Sequence, residues 1–225
     1  MAESSKVDIR VLVLNGWAAS PDAWSLCTFR RDALFSYVDQ LDGLPERFIE
    51  EAIKRNPAER FVFVGWSMGG SSALRLACRY HANVARMVLV AATPRMMEDK
   101  AAGWRGMSPR RLDALHRGLL LTHGEGFFGI PEGRPNPYQM DSEENLLRGL
   151  QYLIETDLRA DLERIAPAMS FPVAIFQSEH DGIVRPENAA YLKGIFPHAT
   201  MTMIPGTEHA LPVLIPDVID AAVAS

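Results

Sequence analysis

Short runs of β-branched and aromatic residues alternate along the chain with longer segments of helical spacing. A small or glycine-rich turn follows most of these runs, which is typical of a parallel sheet with helices on both faces. Six runs are predicted as strands, over residues 9–14, 34–38, 61–66, 87–91, 173–177 and 200–204. The alternation therefore predicts an α/β fold.

Helices are predicted between these strands, over residues 44–55, 68–80, 186–196 and 211–224. Roughly 80 residues separate the fourth strand from the fifth, far more than a simple connection needs. The excess predicts a helical cap over residues 95–165, with helices over 108–121 and 142–165 around a stretch rich in glycine and proline. We expect one domain over residues 1–225 that carries this cap.

The charge balance and the cysteine count exclude several protein classes. Lysine and arginine number 23 against 28 aspartate and glutamate, a net charge of −5, which argues against a nucleic-acid binder. Cys27 and Cys78 are too few for a disulfide scaffold or a cysteine-rich metal site, which favours a cytoplasmic setting. No apolar run reaches the about 18 residues of a membrane span. We expect a soluble monomer that contacts no membrane.

Residues 65–69 read Gly-Trp-Ser-Met-Gly and follow the apolar segment 61–64. A Gly-x-Ser-x-Gly motif between a strand and a helix is typical of a nucleophile elbow, whose tight turn leaves no room for side chains at the glycines. The helix N-terminus behind the serine also attracts developing negative charge. A plain strand-to-helix turn is the alternative interpretation, but the small residues at 70–73 favour Ser67 as a nucleophile.

A nucleophilic serine needs a base, and the base needs an orienting acid. Asp181 follows the fifth predicted strand and His209 follows the sixth, at the sheet edge where open α/β folds bind ligands. Glu179 is an alternative acid and His180 an alternative base. We favour Asp181 because Gly182 after it suits a sharp turn, and His209 because His180 would compete with the acid for space.

Two backbone N–H groups should stabilise the oxyanion of the intermediate. The Met68 amide directly follows the nucleophile, and the Trp17 amide lies in the loop after the first strand. The Trp17 side chain either lines the acyl pocket or packs in the core. Four aromatic residues of the cap either close an acyl tunnel or pack the cap onto the sheet: Trp104, Phe127, Phe128 and Tyr152.

Taken in order, these motifs resemble the α/β-hydrolase superfamily over nearly the whole chain. Five segments look like the biotin-pathway esterases that cleave pimeloyl-[acyl-carrier protein] methyl ester: NGW at 15–17, GWSMGG at 65–70, TDLRADLERI at 156–165, HDGIV at 180–184 and GTEHALP at 206–212. The resemblance implies an α/β-hydrolase fold with a mostly parallel, six-stranded sheet flanked by helices. Residues 15–16 are Asn-Gly where that family has His-Gly, and its extra N-terminal strands are missing, so we expect a trimmed fold.

Carried over residue by residue, the resemblance implies Ser67 as nucleophile, Asp181 as acid and His209 as base. It also implies the Trp17 and Met68 amides as oxyanion donors. In that family a helical cap recruits the carrier protein through arginines, which here are Arg105, Arg110, Arg111 and Arg117.

The charges of the cap are polarised along the chain. Residues 95–120 hold six basic and three acidic residues, whereas residues 121–165 hold four basic and nine acidic residues. The basic half either meets an acidic partner or forms ordinary solvated helix faces.

We therefore predict a serine carboxylic-ester hydrolase that works through an acyl-enzyme, without a metal or organic cofactor. Its substrate is a small-molecule or carrier-bound ester. An acyl thioesterase and a general small-ester carboxylesterase are alternatives, because the same triad cleaves both kinds of acyl bond. A non-catalytic binding module on the same fold is a further alternative.

Overall fold

A six-stranded, all-parallel sheet in the order β2-β1-β3-β4-β5-β6 forms the centre of the protein. The computed structural model describes residues 8–122, 130, 133–139 and 141–225. The strands are β1 (Ile9–Leu14), β2 (Ala33–Phe35), β3 (Arg60–Trp66), β4 (Val84–Val90), β5 (Val173–Ser178) and β6 (Thr200–Ile204). The predicted parallel sheet of six strands is confirmed.

Helices cover both faces of this sheet. In the described part of the chain they are α1 (Tyr37–Leu41), α2 (Leu44–Arg55), α3 (Met68–Tyr80), α4 (Pro109–Thr122), α5 (Glu143–Glu155), α6 (Arg159–Ile165), α7 (Pro186–Ile195), α8 (Leu211–Leu214) and α9 (Pro216–Ala224). Within the same residues, no helix is long and apolar enough to cross a bilayer.

The central strands are apolar on both sides because each side faces a layer of helices. In β3, Phe61 and Phe63 pack in the cluster that includes residues of α2, α3 and α7, while Val62 and Val64 pack in the cluster with α8 and α9. All four side chains are buried. Burial of such side chains stabilises the fold by about 1.5–3 kcal/mol each.

The second strand is shorter than the sequence predicts. Residues 37 and 38 were predicted as strand, and this is wrong, because α1 begins at Tyr37. Ser36 and Asp39 form a capping box, in which each side chain accepts a hydrogen bond from the other residue's backbone N–H. The Ser-x-x-Asp spacing is the signal that locates this helix start.

The predicted helix over residues 211–224 is two helices, α8 and α9, separated at Ile215. Ile215 has φ −126° and ψ 45° because it precedes Pro216, whose ring disfavours the helical conformation of the residue before it.

The predicted helix over residues 142–165 is also two helices, α5 and α6. They are separated near Asp157, which pairs with Arg95 by a backbone bridge and a side-chain ion pair. Leu162 of α6 packs with α3 in the core under the sheet.

Helices α4 and α5 lie over the residues that follow β1 and β3. Their buried leucines form one cluster with Trp17, Met68 and Met96, which comes shortly after β4. This cluster covers the carboxyl end of the sheet, where parallel α/β sheets bind their ligands.

Candidate active site

Ser67 lies between the end of β3 and the start of α3, in a strained backbone conformation. Its φ is 55° and its ψ is −118°, a region that residues other than glycine rarely adopt. The Ser67 N–H donates to Val90 O at 2.9 Å, which ties the turn to the neighbouring strand. The turn therefore presents the Ser67 side chain above the sheet, as a nucleophile elbow requires.

The glycines of this turn are required by close backbone packing. A Cβ at Gly65 would come closer than 3.0 Å to Gly69 O, and a Cβ at Gly69 would come closer than 3.0 Å to Leu14 O. A Cβ at Gly70 would collide with Ala92 Cβ. The glycines thus allow α3 to approach β1 and β4 closely enough to place Ser67.

We expect Gly69→Ala to lower the free energy of unfolding by about 3 kcal/mol, because its Cβ would push α3 away from the backbone of β1. Thermal and urea denaturation measure this. Gly194→Ala is the matched control, since no atom lies within 4 Å of a Cβ there. Equal stability of the two variants would contradict the packing argument.

Ser67, His209 and Asp181 form a continuous chain of hydrogen bonds. Ser67 Oγ lies 2.9 Å from His209 Nε2, and His209 Nδ1 lies 2.7 Å from Asp181 Oδ2. The three residues are only 8%, 5% and 3% exposed, respectively. The structure thus brings together the three residues that the sequence selects, in the arrangement that lets a histidine accept a serine proton.

The Asp181 carboxylate is held by the loop that follows β5. Its Oδ1 accepts the Ile183 and Val184 N–H groups at 2.7 and 3.1 Å, and its Oδ2 accepts Gln177 Nε2 at 3.2 Å as well as His209. Sequence reasoning gave Gln177 no role. The signal in the sequence that points to Gln177 is its polar side chain near the carboxyl end of the mostly apolar strand β5.

The backbone of the His209 loop is fixed from two sides. Trp66 Nε1 donates to His209 O at 3.0 Å, and Ser178 Oγ donates to Glu208 O. The alternative candidates, Glu179 and His180, are both exposed on the surface. Their side chains take no part in the hydrogen-bond chain to Ser67.

The loop after β1 lies against the nucleophile. A Cβ on Gly16 would be 3.4 Å from Ser67 Cβ. Trp17, whose amide is the candidate oxyanion donor, is the next residue in the chain. Asn15 Nδ2 donates to Ala19 O and Ser20 O, at 3.0 and 2.9 Å, and closes the loop.

Neither candidate oxyanion donor has a protein acceptor within the described ranges. The Trp17 N–H and the Met68 N–H are both without one there. Among the described residues, both amides are therefore free to donate to a bound group, which an oxyanion site requires.

A narrow cleft with a cavity volume of about 20 Å³ lies above Ser67 and is partly open to solvent. Apolar side chains form most of its walls: Trp17, Trp66, Met96, Leu115, Leu153 and Ile183. Tyr138 also lines it, and burial together with the Asp181 charge raises the pKa of Tyr138 well above its usual value. Tyr138 therefore stays protonated and adds no charge to the cleft.

Of the aromatic residues that the sequence predicts for the pocket, the structure places one in the cleft and two outside it. Trp17 lines the cleft, but Trp104 and Tyr152 do not. Trp104 packs against Tyr191 at a centroid distance of 5.2 Å, and Tyr152 OH lies 3.2 Å from Ser72 Oγ. Phe127 and Phe128 lie outside the described residues.

Comparison with known proteins agrees with this architecture. The model of the Alpha/beta hydrolase family matches residues 11–222. The chain belongs to this family. Among solved structures, this α/β hydrolase is similar to the esterase EaEST from Exiguobacterium antarcticum, with a TM-score of 0.72 and 19% identity over 97% of this chain and 93% of that one. It is also similar to MenH from S. aureus, with a TM-score of 0.67 and 16% identity over 98% and 94%.

Relatives with more similar sequences carry esterase names. The pimeloyl-[acyl-carrier protein] methyl ester esterase of Nitrosospira multiformis is 28% identical, over 92% of this chain and 90% of the relative. The enzyme of the same name from Vibrio vulnificus is 26% identical, over 89% and 87%. The family and these relatives support a carboxylic ester hydrolase, as the sequence predicts.

Proposed function

We propose that this α/β hydrolase is a serine esterase that cleaves carboxylic esters through an acyl-enzyme, with Ser67, His209 and Asp181 as its catalytic triad. The observation that carries the proposal is the hydrogen-bond chain from Ser67 Oγ through His209 to Asp181, buried at the base of an apolar cleft.

In the acylation step His209 Nε2 takes the Ser67 Oγ proton while Oγ attacks the ester carbonyl carbon. The carbonyl oxygen becomes an oxyanion, and the Trp17 and Met68 amides donate hydrogen bonds to it. When the tetrahedral intermediate collapses, the C–O bond to the leaving group breaks, and protonated His209 gives its proton to the leaving oxygen, which departs as the alcohol. The acyl group is then bound to Ser67 Oγ.

In the second step His209 takes a proton from a water molecule, which attacks the acyl carbonyl. The second intermediate forms in the same oxyanion site and breaks its bond to Ser67 Oγ, which recovers the proton from His209. The products are the carboxylic acid and the free enzyme.

For the substrate we make a narrower proposal: the enzyme hydrolyses the methyl ester of pimeloyl-acyl carrier protein methyl ester in biotin synthesis. The names of the relatives from Nitrosospira and Vibrio support it. The apolar wall of the cleft supports it as well, because it suits an uncharged ester better than a free carboxylate.

The arginines proposed to recruit a carrier protein lie on or just before α4. Arg105 pairs with Glu187 at 3.0 Å and Arg117 with Asp113 at 2.8 Å, so acidic neighbours offset part of their charge. Arg110 and Arg111 are exposed. These two are the arginines that we propose to meet an acidic carrier protein.

Covalent labelling tests the proposed mechanism. A fluorophosphonate probe should modify Ser67 in the intact protein, since it reacts with activated serines. Peptide mass spectrometry locates the adduct. Ser71 is the internal control, because its Oγ is buried and donates to Thr93 O. A protein that stays unlabelled would contradict the serine mechanism and favour a binding module.

Substrate comparison tests the narrower proposal. We expect kcat/KM for the carrier-bound pimeloyl methyl ester to exceed that for a matched acyl thioester by at least about tenfold, or about 1.4 kcal/mol. Arg110→Ala combined with Arg111→Ala should raise KM for the carrier-bound ester and leave KM for a small methyl ester unchanged. A preference for the thioester would instead assign a thioesterase.

A further inference from the structure

The indole of Trp17 lies directly on the backbone of α5. Trp17 Nε1 donates to Leu146 O at 3.0 Å, and the side chain is only 8% exposed. The contact point is Gly149, where a Cβ would come closer than 3.0 Å to Trp17 Cδ1 and Nε1. A glycine in the interior of a helix costs about 1 kcal/mol relative to alanine, so this position sacrifices helix stability for a close approach.

Helix α5 is also linked to α1 and to the residue that follows it, Asp42. Tyr37 OH donates to Asp141 at 2.8 Å just before the helix begins, and Arg148 pairs with Asp42. Tyr37 Cδ2 would lie 3.2 Å from a Cβ on Gly149. A side chain at position 149 therefore meets two packed rings, and these links oppose any movement of the helix away from them.

The loop that carries Trp17 has little freedom on its other side. Ser20 N–H donates to Pro137 O and Gln139 N–H donates to Ala18 O, both at 2.8 Å. Ala18 has a φ of 53°, which only the surrounding contacts maintain. Because these contacts fix the loop, we expect a displaced indole to strain the Trp17 backbone, whose neighbour Gly16 lies against Ser67.

We propose that Gly149 is a positioning residue for the oxyanion site: by admitting the Trp17 indole against α5, it sets where the Trp17 amide points. This inference rests on the proposed esterase mechanism, in which that amide stabilises the oxyanion. It makes helix α5 part of the catalytic apparatus as well as part of the cover over the cleft.

The test is Gly149→Ala in the full-length protein, assayed with a small methyl ester. We expect kcat to fall about 10- to 100-fold with KM nearly unchanged, because the oxyanion forms only after the substrate has bound. Affinity for a trifluoromethyl ketone, whose adduct carries an oxyanion, should fall in parallel with kcat. Gly194→Ala, the same change in α7 with open space around the Cβ, should leave all three values unchanged.

A rescue variant separates positioning from general damage. Alanine at position 17 removes the indole ring that touches Gly149, so Gly149→Ala should cost less than about threefold in kcat when it is added to Trp17→Ala. An equal loss in both backgrounds would overturn the inference, as would unchanged kcat in the single variant.

Tyr37→Phe provides a second route if Gly149→Ala does not fold. It removes only the hydroxyl that links α5 to α1 through Asp141. We expect a severalfold fall in kcat with KM unchanged, and full kcat would overturn the inference. Loss of labelling at Ser67 in the parent protein would instead show that the esterase mechanism itself is wrong, so the two failures are distinguishable.

Discussion

Replacement of Ser67 by alanine is expected to lower kcat/KM for ester hydrolysis by about 10⁵-fold or more, since Ser67 Oγ is the proposed nucleophile that carries the acyl group. Among the described residues, Ser67 Oγ has one side-chain hydrogen-bond partner, His209 Nε2 at 2.9 Å, so the loss of the hydroxyl removes little else. Steady-state hydrolysis of a methyl ester measures the loss. Thermal denaturation should show a melting temperature within a few degrees of the parent.

Ser71→Ala is the matched control for this change. It removes a buried hydroxyl from α3, the helix that follows Ser67, and that hydroxyl donates to Thr93 O at 2.7 Å. We expect its kcat to stay within a few-fold of the parent. If Ser67→Ala retained more than a tenth of the parent activity, the nucleophile would have to be another residue.

Asp181→Asn is expected to lower kcat by about 10⁴-fold while the fold is retained. Asparagine has the same shape but can accept at only one of its two terminal atoms. The Asp181 oxygens accept from the Ile183 and Val184 amides on one side and from Gln177 and His209 on the other. An amide NH₂ facing His209 makes Nδ1 an acceptor and moves the proton to Nε2, which then cannot take the Ser67 proton.

Glu179→Gln is the control for the acid. Glu179 is two residues away and exposed, and sequence reasoning left it open as the acid. We expect it to retain the parent kcat and pH profile. A large loss in Glu179→Gln together with an active Asp181→Asn would reverse the assignment of the acid.

Local patterns predict much of the sheet and fail where side chains from different segments compete. Runs of β-branched and aromatic residues locate all six strands, and β3 and β5 are the most apolar because helices cover both of their faces. Residues 37 and 38 look like strand by composition, yet the capping box of Ser36 and Asp39 starts a helix there. Hydrophobicity contains no information about such a cap, whereas the Ser-x-x-Asp spacing does.

The candidate site shows the same division. The chain order of serine, acid and histidine, each after a strand, selects the three residues, because parallel strands bring their carboxyl ends to one edge. The pocket walls are harder to predict. Trp104 and Tyr152 belong to the cap but pack away from the cleft, while Tyr138, Leu115 and Leu153 line it. Aromatic character does not reveal which way a residue of an inserted helix will face.

By itself, the sequence determined the parallel sheet, the strained turn at Ser67 and the edge at which Asp181 and His209 meet it. These follow from residue type and local spacing. Only the tertiary structure decided that Gln177 holds the acid, that Trp66 holds the histidine loop and that Gly149 receives Trp17. The last two contacts join residues more than 100 positions apart, and all three depend on how packed elements meet, a relation that no local period encodes.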